Sequence, residues 1–311
     1  MAKKKEQVVR GAEVSSPDGS RAISKFRVSD AIMMFVLVIL CATCVLPFIH
    51  LAAKSISGNA EVVAKNVFFW PKDINFDAYV SIFKDGGLVY SFVYSLVVTL
   101  IFTLLGMVVC TCSAYPLSKK RLRGRTVITV LLMIPMYFSA GLIPSYLLMK
   151  DLNLLDNMWV LIWPLIYSPY NMLIMKTNFQ ASIPDSLEES AFLDGATNFQ
   201  ILMKIVLPLS KPILATLSLF YAVGRWNAYA DNMYYIRKRD DLKMVQYKLY
   251  MMISSAQNAQ TESLSEAAAV TSTPEVLQAA AVMFVTIPII CIYPFLQKYF
   301  VKGAMVGAVK G

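Results

Sequence analysis

Six long apolar stretches constrain this 311-residue chain more than any other feature of its sequence. They cover residues 30–53, 90–114, 126–149, 158–175, 212–230 and 276–297. A helix needs about 20 mostly apolar residues to cross the hydrocarbon layer of a membrane. The sequence therefore predicts an all-α membrane protein with six transmembrane helices.

The composition supports this class. Hydrophobic residues make up 57% of the chain and charged residues 16%, whereas an average soluble domain carries about 25% charged residues. An ordinary soluble enzyme, a disordered chain and a disulfide-rich secreted module are excluded. The five cysteines lie in apolar runs, and the single histidine, His50, cannot form a histidine metal site. We therefore expect no metal or cofactor in this chain.

The distribution of basic residues predicts the orientation. Segments placed in the cytoplasm hold 18 Lys and Arg in 90 residues: 1–29, 115–125, 176–211 and 298–311. Segments placed outside hold 10 in 89 residues: 54–89, 150–157 and 231–275. Basic residues are retained on the cytoplasmic side, so both termini are expected there. The basic clusters then act as topology signals and possible anionic-lipid contacts, and a nucleic-acid partner is not expected.

This orientation divides the chain into a cytoplasmic polar tail, residues 1–29, and a six-span domain, residues 30–311. We expect a multi-pass protein of the cytoplasmic membrane. The outer segment 231–275 is long for a simple connection, which indicates that it has a function or a structure of its own. The outer segment 54–89 carries Phe68, Phe69 and Trp70 and is expected to rest at the membrane interface.

The chain lacks an energy source of its own. It contains no nucleotide-binding G-x-x-x-x-G-K-[ST] motif and no acidic residue in the middle of a span. If the protein moves a solute, the energy should come from another subunit. Two alternatives stay open: an ATP-independent carrier or channel, and a membrane enzyme such as a lipid-sugar transferase. The enzyme would need acids or histidines clustered at a membrane face.

The inner segment 176–211 carries the most specific signals. Pro184 suits the first turn of a helix, and Asp185, Glu188 and Glu189 would favour the positive end of that helix. Gly195 can end the helix in a left-handed conformation. The pattern predicts a short helix on the cytoplasmic face of the membrane.

A second short helix should follow. Thr197 and Gln200 have the spacing of a capping box, and Pro208 should stop the helix before the next span. In the first helix, Leu187, Ala191 and Leu193 would supply apolar contact area, while the acidic side chains are expected to stay in water. A solvated amphipathic loop without any partner is the structural alternative.

The same segment resembles a family signature. Permeases of binding-protein-dependent ABC importers carry the pattern E-A-A-x-x-x-G-x(9)-I-x-L-P. Here it reads Glu189-Ser190-Ala191-Phe192-Leu193-Asp194-Gly195, nine further residues, and Ile205-Val206-Leu207-Pro208. The one departure is Ser190 for the first alanine. The flanking residues and the C-terminal segment 297–311 resemble the carbohydrate-importer branch of the family.

The resemblance implies a type I ABC importer (MetI-like) fold whose cytoplasmic coupling helix docks into a separate ATPase. The expected coupling residues are Glu188, Glu189, Ala191, Asp194, Gly195 and Ala196. It further implies a second homologous permease, two ATPase subunits that hold ATP and Mg, and an extracellular solute-binding protein. The chain itself would be a transport subunit without catalysis, importing an oligosaccharide or a sugar derivative.

Aromatic and amide side chains near span ends are candidates for the path of such a substrate. Sugars are bound by aromatic faces together with amide or carboxylate hydrogen bonds. The candidate residues are Asn171, Arg225, Trp226, Asn227 and Tyr229. Tyrosine and tryptophan also form the interfacial belt of membrane proteins, and Arg225 could instead extend to the outer interface.

Overall fold

The computed structural model describes residues 28–262 and 274–290. Most of the predicted polar tail and the C-terminal segment 297–311 lie outside this range. The described residues form helices and contain no β-strand, with a single isolated bridge between Ser57 and Ile74. The chain divides into two compact units, residues 1–47 and residues 48–311.

The first predicted span is a continuous helix, α1 (Val28–Ser55). Asp30 in its first turn and Lys54 in its last turn both complement the helix dipole. Residues Ser29–Ser55 are long and apolar enough to cross a membrane.

Two short helices, α2 (Asn59–Val63) and α3 (Asp77–Asp85), precede the second long helix, α4 (Gly87–Ser118). Gly86 ends α3 with a φ of 66°, a conformation that glycine adopts without strain. The 32 residues of α4 also suffice for a membrane crossing. Trp70, between α2 and α3, is exposed.

The predicted span 126–149 is divided into two helices, α5 (Arg125–Tyr137) and α6 (Leu142–Asp151), which meet at 110°. Phe138 is extended, and Gly141 has a φ of 86°. Neither conformation continues a helix. Ser139 and Gly141 at the bend are less apolar than the residues on either side, but the mean hydropathy of the whole segment does not reveal the break.

The predicted span 158–175 is irregular as well. It begins with two 3₁₀ turns, Met158–Leu161 and Trp163–Leu165, and continues in α7 (Pro169–Ser182) at a bend of 51°. Pro169 occupies the first turn of α7, where its missing N–H costs nothing. The helix runs seven residues past the predicted end of the span.

The cytoplasmic segment and the fifth span follow as α8 (Asp185–Leu193), α9 (Asn198–Leu209) and α10 (Lys211–Asn227). Residues Leu202–Val206 of α9 form a π-helical turn. The helix continues one residue beyond Pro208, and the chain bends by 85° at Ser210. The predicted stop is therefore displaced by one or two residues.

The last described elements are α11 (Ala230–Tyr235), a 3₁₀ turn at Asp240–Leu242, α12 (Val245–Glu262) and α13 (Pro274–Ile290). The predicted outer loop 231–275 thus has its own structure as far as residue 262. Its remaining residues 263–273 and the end of the sixth predicted span lie outside the described residues.

The centre of the second unit is α4, which packs between α7 and α10. Val98, Cys110 and Ala114 of α4 are fully buried in this core. Gly106 allows close contact with α10, because a Cβ atom at this position would lie 2.8 Å from the ring of Tyr221. Small residues at such contacts are typical of helix packing in membranes.

Candidate coupling and translocation site

The short helix α8 lies where its sequence predicts, but it begins one residue later, since Pro184 was expected in its first turn. Pro184 precedes it in an extended conformation, and the helix begins at Asp185. At its end, Gly195 has a φ of 81°. The N–H of Gly195 donates to the carbonyl of Phe192 at 3.0 Å, and that of Ala196 to the carbonyl of Ala191 at 2.9 Å. These bonds close the helix by a left-handed glycine, as predicted.

The start of α9 also agrees with the sequence. The hydroxyl of Thr197 accepts a hydrogen bond from the N–H of Gln200, and the side chain of Gln200 accepts one from the N–H of Thr197. This is a complete capping box. The two short helices are therefore held in a fixed turn by local hydrogen bonds.

Glu188 corrects the expectation that the acidic side chains stay in water. It is buried, and its carboxylate is paired with the ammonium of Lys119, the residue that follows α4. Lys119 is buried too and lies 4.9 Å from the ring of Tyr115. A buried carboxylate requires such a partner. The partner stands 69 positions earlier in the chain, so the local pattern of α8 could not reveal it.

Further contacts join the same two segments. Lys120 forms an exposed ion pair with Asp185 at 3.0 Å. The guanidinium of Arg121 lies 4.3 Å from the ring of Phe192 and bonds to the amide oxygen of Asn198. The basic cluster at 119–121, interpreted from the sequence as a topology signal, therefore also attaches α8 and α9 to the end of α4.

The opposite face of α8 is open. Leu193 is 90% exposed, and Leu187, Glu189 and Asp194 are exposed beside it. Ala191 and Ala196 instead pack toward the core. The predicted coupling residues thus divide into two sets. Glu188, Ala191 and Ala196 hold the helix in place, whereas Glu189, Asp194 and Gly195 lie on its accessible side.

Two of the candidate path residues, Asn171 and Arg225, meet at one pocket. It has a volume of about 210 Å³. Its lining combines apolar and polar side chains: Phe102, Leu165, Ser168, Asn171, Phe220, Tyr221, Gly224, Arg225 and Ala228. The pocket lies where α4, α7 and α10 meet. Its wall is mostly apolar and includes the hydroxyl residues Ser168 and Tyr221 and the amide residue Asn171.

Arg225 does not extend to the outer interface. Its side chain is fully buried and its guanidinium is paired with Asp231, with Nη2 3.0 Å from Oδ1. It also donates to the carbonyl of Leu161 at 2.9 Å and contacts the sulfur of Met244 at 3.2 Å. Desolvation makes an unpaired charge costly, and the partner six residues later explains the burial. Arg225 therefore joins α10 to the segments around it.

The other path candidates are separated. Trp226 is buried against Phe92, with ring centroids 5.3 Å apart, and does not reach the pocket. Asn227 is exposed. Tyr229 is 41% exposed, and its ring is nearly parallel to that of Tyr250 in α12 at a centroid distance of 5.0 Å. The structure thus distributes these residues over three environments.

Asp156 holds together two connecting segments on the predicted outer side, the one that follows α6 and the one that follows α11. Its Oδ1 accepts from the N–H of Arg237 at 2.7 Å and from that of Lys238 at 2.8 Å. Burial opposes ionisation of this carboxyl, but the backbone donors and the charge of Lys238 lower its pKa below the ordinary value. Sequence reasoning missed this contact, since Asp156 is more than 80 positions from its donors and no local pattern marks it.

The described residues contain no group of three or more His, Cys, Asp or Glu that could hold a metal ion. Cys110 is buried, and Cys41, Cys44 and Cys112 are free thiols.

Comparison with known proteins gives a consistent result. Residues 103–306 match the family of binding-protein-dependent transport system inner membrane components. The polygalacturonan/rhamnogalacturonan transport system permease protein YtcP of Bacillus subtilis (strain 168) is 40% identical over 92% of this chain and its own full length. Protein LplC of the same organism is 36% identical over 87% of this chain and 90% of its own.

A solved structure is also similar. One chain of a bacterial ABC transporter involved in the import of the acidic polysaccharide alginate matches with a TM-score of 0.78 and 33% identity. The match covers 88% of this chain and 99% of that one. A second chain, from the alginate transporter in complex with a pentasaccharide-bound periplasmic protein, shares the fold with a TM-score of 0.58 at 15% identity.

Proposed function

Since the chain belongs to the family of binding-protein-dependent transport system inner membrane components, we propose that it conducts an oligosaccharide and is driven by a separate ATPase that docks on α8. The family consists of ABC importer permeases, which are transport subunits and not enzymes. The chain is accordingly a membrane-embedded permease subunit. The proposal concerns the oligosaccharide cargo, the contact of the ATPase with α8 and the cytoplasmic position of the termini.

The open face of α8 is the observation that carries the ATPase contact. An almost fully exposed leucine, Leu193, stands on a short helix that is otherwise fixed at both ends. Exposed apolar side chains within a polar rim are typical of docking sites. Glu189 and Asp194 supply that rim and could accept hydrogen bonds from basic or amide groups of a partner.

The fixation of α8 supports transmission of force. The buried pair of Lys119 with Glu188 and the contacts of Arg121 join α8 to the end of α4. Because α4 packs against α7 and α10, a movement imposed on α8 would reach the centre of the bundle as a rigid-body shift. The proposed ATPase would use this connection to switch the spans between inward-facing and outward-facing arrangements.

The cargo proposal rests on the relatives and on the pocket. YtcP is named for polygalacturonan and rhamnogalacturonan, and the similar solved chain belongs to an alginate importer. The pocket at Asn171 and Ser168 provides the amide and hydroxyl groups that sugar hydroxyls require. A second permease, two ATPase subunits with their ATP and Mg, and an extracellular solute-binding protein complete the proposed assembly.

Site-specific photocrosslinking tests the docking proposal. A benzophenone amino acid at Leu193 should give an adduct with the ATPase subunit in membranes that contain the assembled importer. The same probe at Trp70, which is also highly exposed and is predicted to lie outside, is the matched control and should give none. An ATPase adduct at Trp70 would contradict the predicted orientation. The absence of an adduct at Leu193 would contradict the proposed docking face.

Uptake into proteoliposomes tests the cargo proposal. The complete importer, with its solute-binding protein, should accumulate at least one of oligogalacturonides, alginate oligosaccharides and stachyose when ATP is supplied on the cytoplasmic side. No uptake of any of these, while ATP hydrolysis is intact, would overturn the oligosaccharide proposal.

A further inference from the structure

Three tyrosines form a row at the junction of α10 and α12. The ring of Tyr250 lies between those of Tyr229 and Tyr247, with centroid distances of 5.0 and 6.4 Å and interplanar angles of 19° and 15°. Tyr247 and Tyr250 are one helical turn apart on α12, while Tyr229 comes from the turn after α10. We call these three residues the tyrosine row.

The rings of the row are accessible. Tyr229 and Tyr250 are 41% and 39% exposed, and Tyr247 is partly exposed. Parallel rings at these centroid distances are offset rather than fully superposed. Each ring therefore leaves part of its face uncovered. The spacing between neighbouring rings is comparable with the length of one sugar unit in a chain.

The row lies at the end of a span and not within it. The N–H of Val245 donates to the hydroxyl of Ser95 inside α4 at 2.8 Å, and the ammonium of Lys248 donates to the carbonyl of Gly87, the first residue of α4, at 3.1 Å. Since α12 passes the first turn of α4 at this point, Tyr247 and Tyr250 flank the position where that span begins. By the predicted orientation, this is the outer mouth.

Charged groups lie at one end of the row. The ammonium of Lys243 lies 5.9 Å from the ring centroid of Tyr247 and pairs with Asp240 at 2.7 Å. Aromatic faces next to an ion pair combine apolar ring contact with hydrogen-bond partners, the combination that suits pyranose sugars.

From this juxtaposition we infer that the tyrosine row is a binding track for the pyranose rings of an oligosaccharide, on which successive sugar units stack as the chain enters the path. The inference rests on the proposed function and assigns a place for the cargo contact. The ammonium groups of Lys243 and Lys248 share the carboxylate of Asp240, at 2.7 and 3.6 Å, so the row offers the apolar faces of its rings beside a local excess of positive charge.

The test uses the complete importer in proteoliposomes, with its solute-binding protein at saturating concentration. The probes are oligogalacturonides and stachyose, and each series is compared with its disaccharide. We expect Tyr250→Leu and the pair Tyr229→Leu/Tyr250→Leu to reduce uptake of tetrasaccharides by about five- to tenfold, in line with the energy of single aromatic contacts. Uptake of the disaccharides should fall less, because fewer sugar units of a disaccharide can contact the row at once.

Two variants control for the fold. Tyr250→Phe keeps the ring and should transport like the parent. Met251→Ala shortens the next side chain of the same helix, which lines a different pocket, and should also be neutral. Basal ATP hydrolysis should stay unchanged in all four variants.

The outcomes separate the alternatives. Parental uptake of tetrasaccharides by Tyr229→Leu/Tyr250→Leu would overturn the binding track and leave the oligosaccharide importer intact. If the leucine variants instead raise the concentration of solute-binding protein needed for half-maximal ATP hydrolysis, the row is a protein contact and the inference is wrong. If the unmodified importer takes up neither these probes nor alginate oligosaccharides, the proposed function itself fails.

Discussion

The ammonium of Lys119 at the end of α4 is paired with the carboxylate of Glu188 in α8, and both side chains are buried. This pair joins the accessible helix to the central one. Loss of one partner would leave a buried charge, at a cost of about 3–5 kcal/mol. The following changes test this relationship and the others that the structure contains.

We expect Lys119→Met to lower the thermal stability of the detergent-purified importer and to uncouple ATP hydrolysis from uptake. The double change Lys119→Met/Glu188→Leu should recover most of the stability, since it removes both charges. Lys120→Met is the control, because its pair with Asp185 is exposed and contributes about 0–1 kcal/mol. Equal unfolding temperatures for Lys119→Met and Lys120→Met would contradict the role of the buried pair.

Changes at Leu193 should act on assembly and not on folding. Because this side chain is almost fully exposed, Leu193→Asp should leave expression and membrane insertion unchanged, while co-purification of the ATPase subunit falls at least tenfold. Trp70→Asp places the same charge at an exposed position that is predicted to lie outside and is the matched control. Normal recovery of the ATPase with Leu193→Asp would exclude this face as the docking surface.

Gly195 should tolerate asparagine better than valine. A φ of 81° costs an ordinary residue about 1–2 kcal/mol, whereas asparagine adopts it more readily. A Cβ atom added at this position would meet no atom within 4 Å, so the cost comes from the backbone alone. We expect uptake to decrease in the order glycine, asparagine, valine, with the protein inserted in each case. Full uptake by Gly195→Val would mean that the left-handed cap is dispensable.

The glycines of α4 and α10 provide a matched pair. Gly106→Ala should destabilise the bundle because the new Cβ would lie 2.8 Å from the ring of Tyr221. Gly224→Ala should be neutral or stabilising by up to about 1 kcal/mol, since nothing lies within 4 Å and alanine favours helix. Thermal unfolding of the two purified variants measures the difference, and a reversed order would be inconsistent with close packing at Gly106.

The Asp156 carboxylate should make the outer connections sensitive to acid. Its pKa is lowered in the folded protein, so its stabilising effect is present above the unfolded value near 3.9 and is lost as the pH falls through the folded value. We expect Asp156→Ala to lower the hydrogen-exchange protection factors of the Arg237 and Lys238 amides at neutral pH. Acidification below the folded pKa of Asp156 should lower these protection factors in the parent protein but not in the variant.

Local signals were sufficient for the short elements of the cytoplasmic segment. Gly195 and the pair Thr197–Gln200 act through bonds within a few residues, and the structure confirms both. The burial of Glu188 depends on Lys119, and the burial of Arg225 depends on Asp231 together with the carbonyl of Leu161. Such pairings are decided by the packing of distant segments, which hydropathy and capping patterns do not contain.

The breaks within the predicted spans were likewise not predicted from hydropathy. The bend at Gly141 and the irregular start of α7, near Pro164 and Pro169, occur in segments whose mean hydropathy is that of a membrane span. Hydropathy reports whether a segment prefers lipid, but it does not report the direction of its backbone. Likewise, the contact of Tyr229 with Tyr250 joins residues of two segments and required the structure.

The bend of 85° at Ser210 sets the geometry of any movement between α9 and α10. Because the two axes are almost at right angles, a shift of α9 along its own axis is nearly perpendicular to α10. Such a shift tilts α10 and does not slide it through the bilayer. The far end of α10 is held at Arg225 by Asp231 and by the carbonyl of Leu161, so a sideways step of α9 would move the near end of α10, at Lys211, farthest.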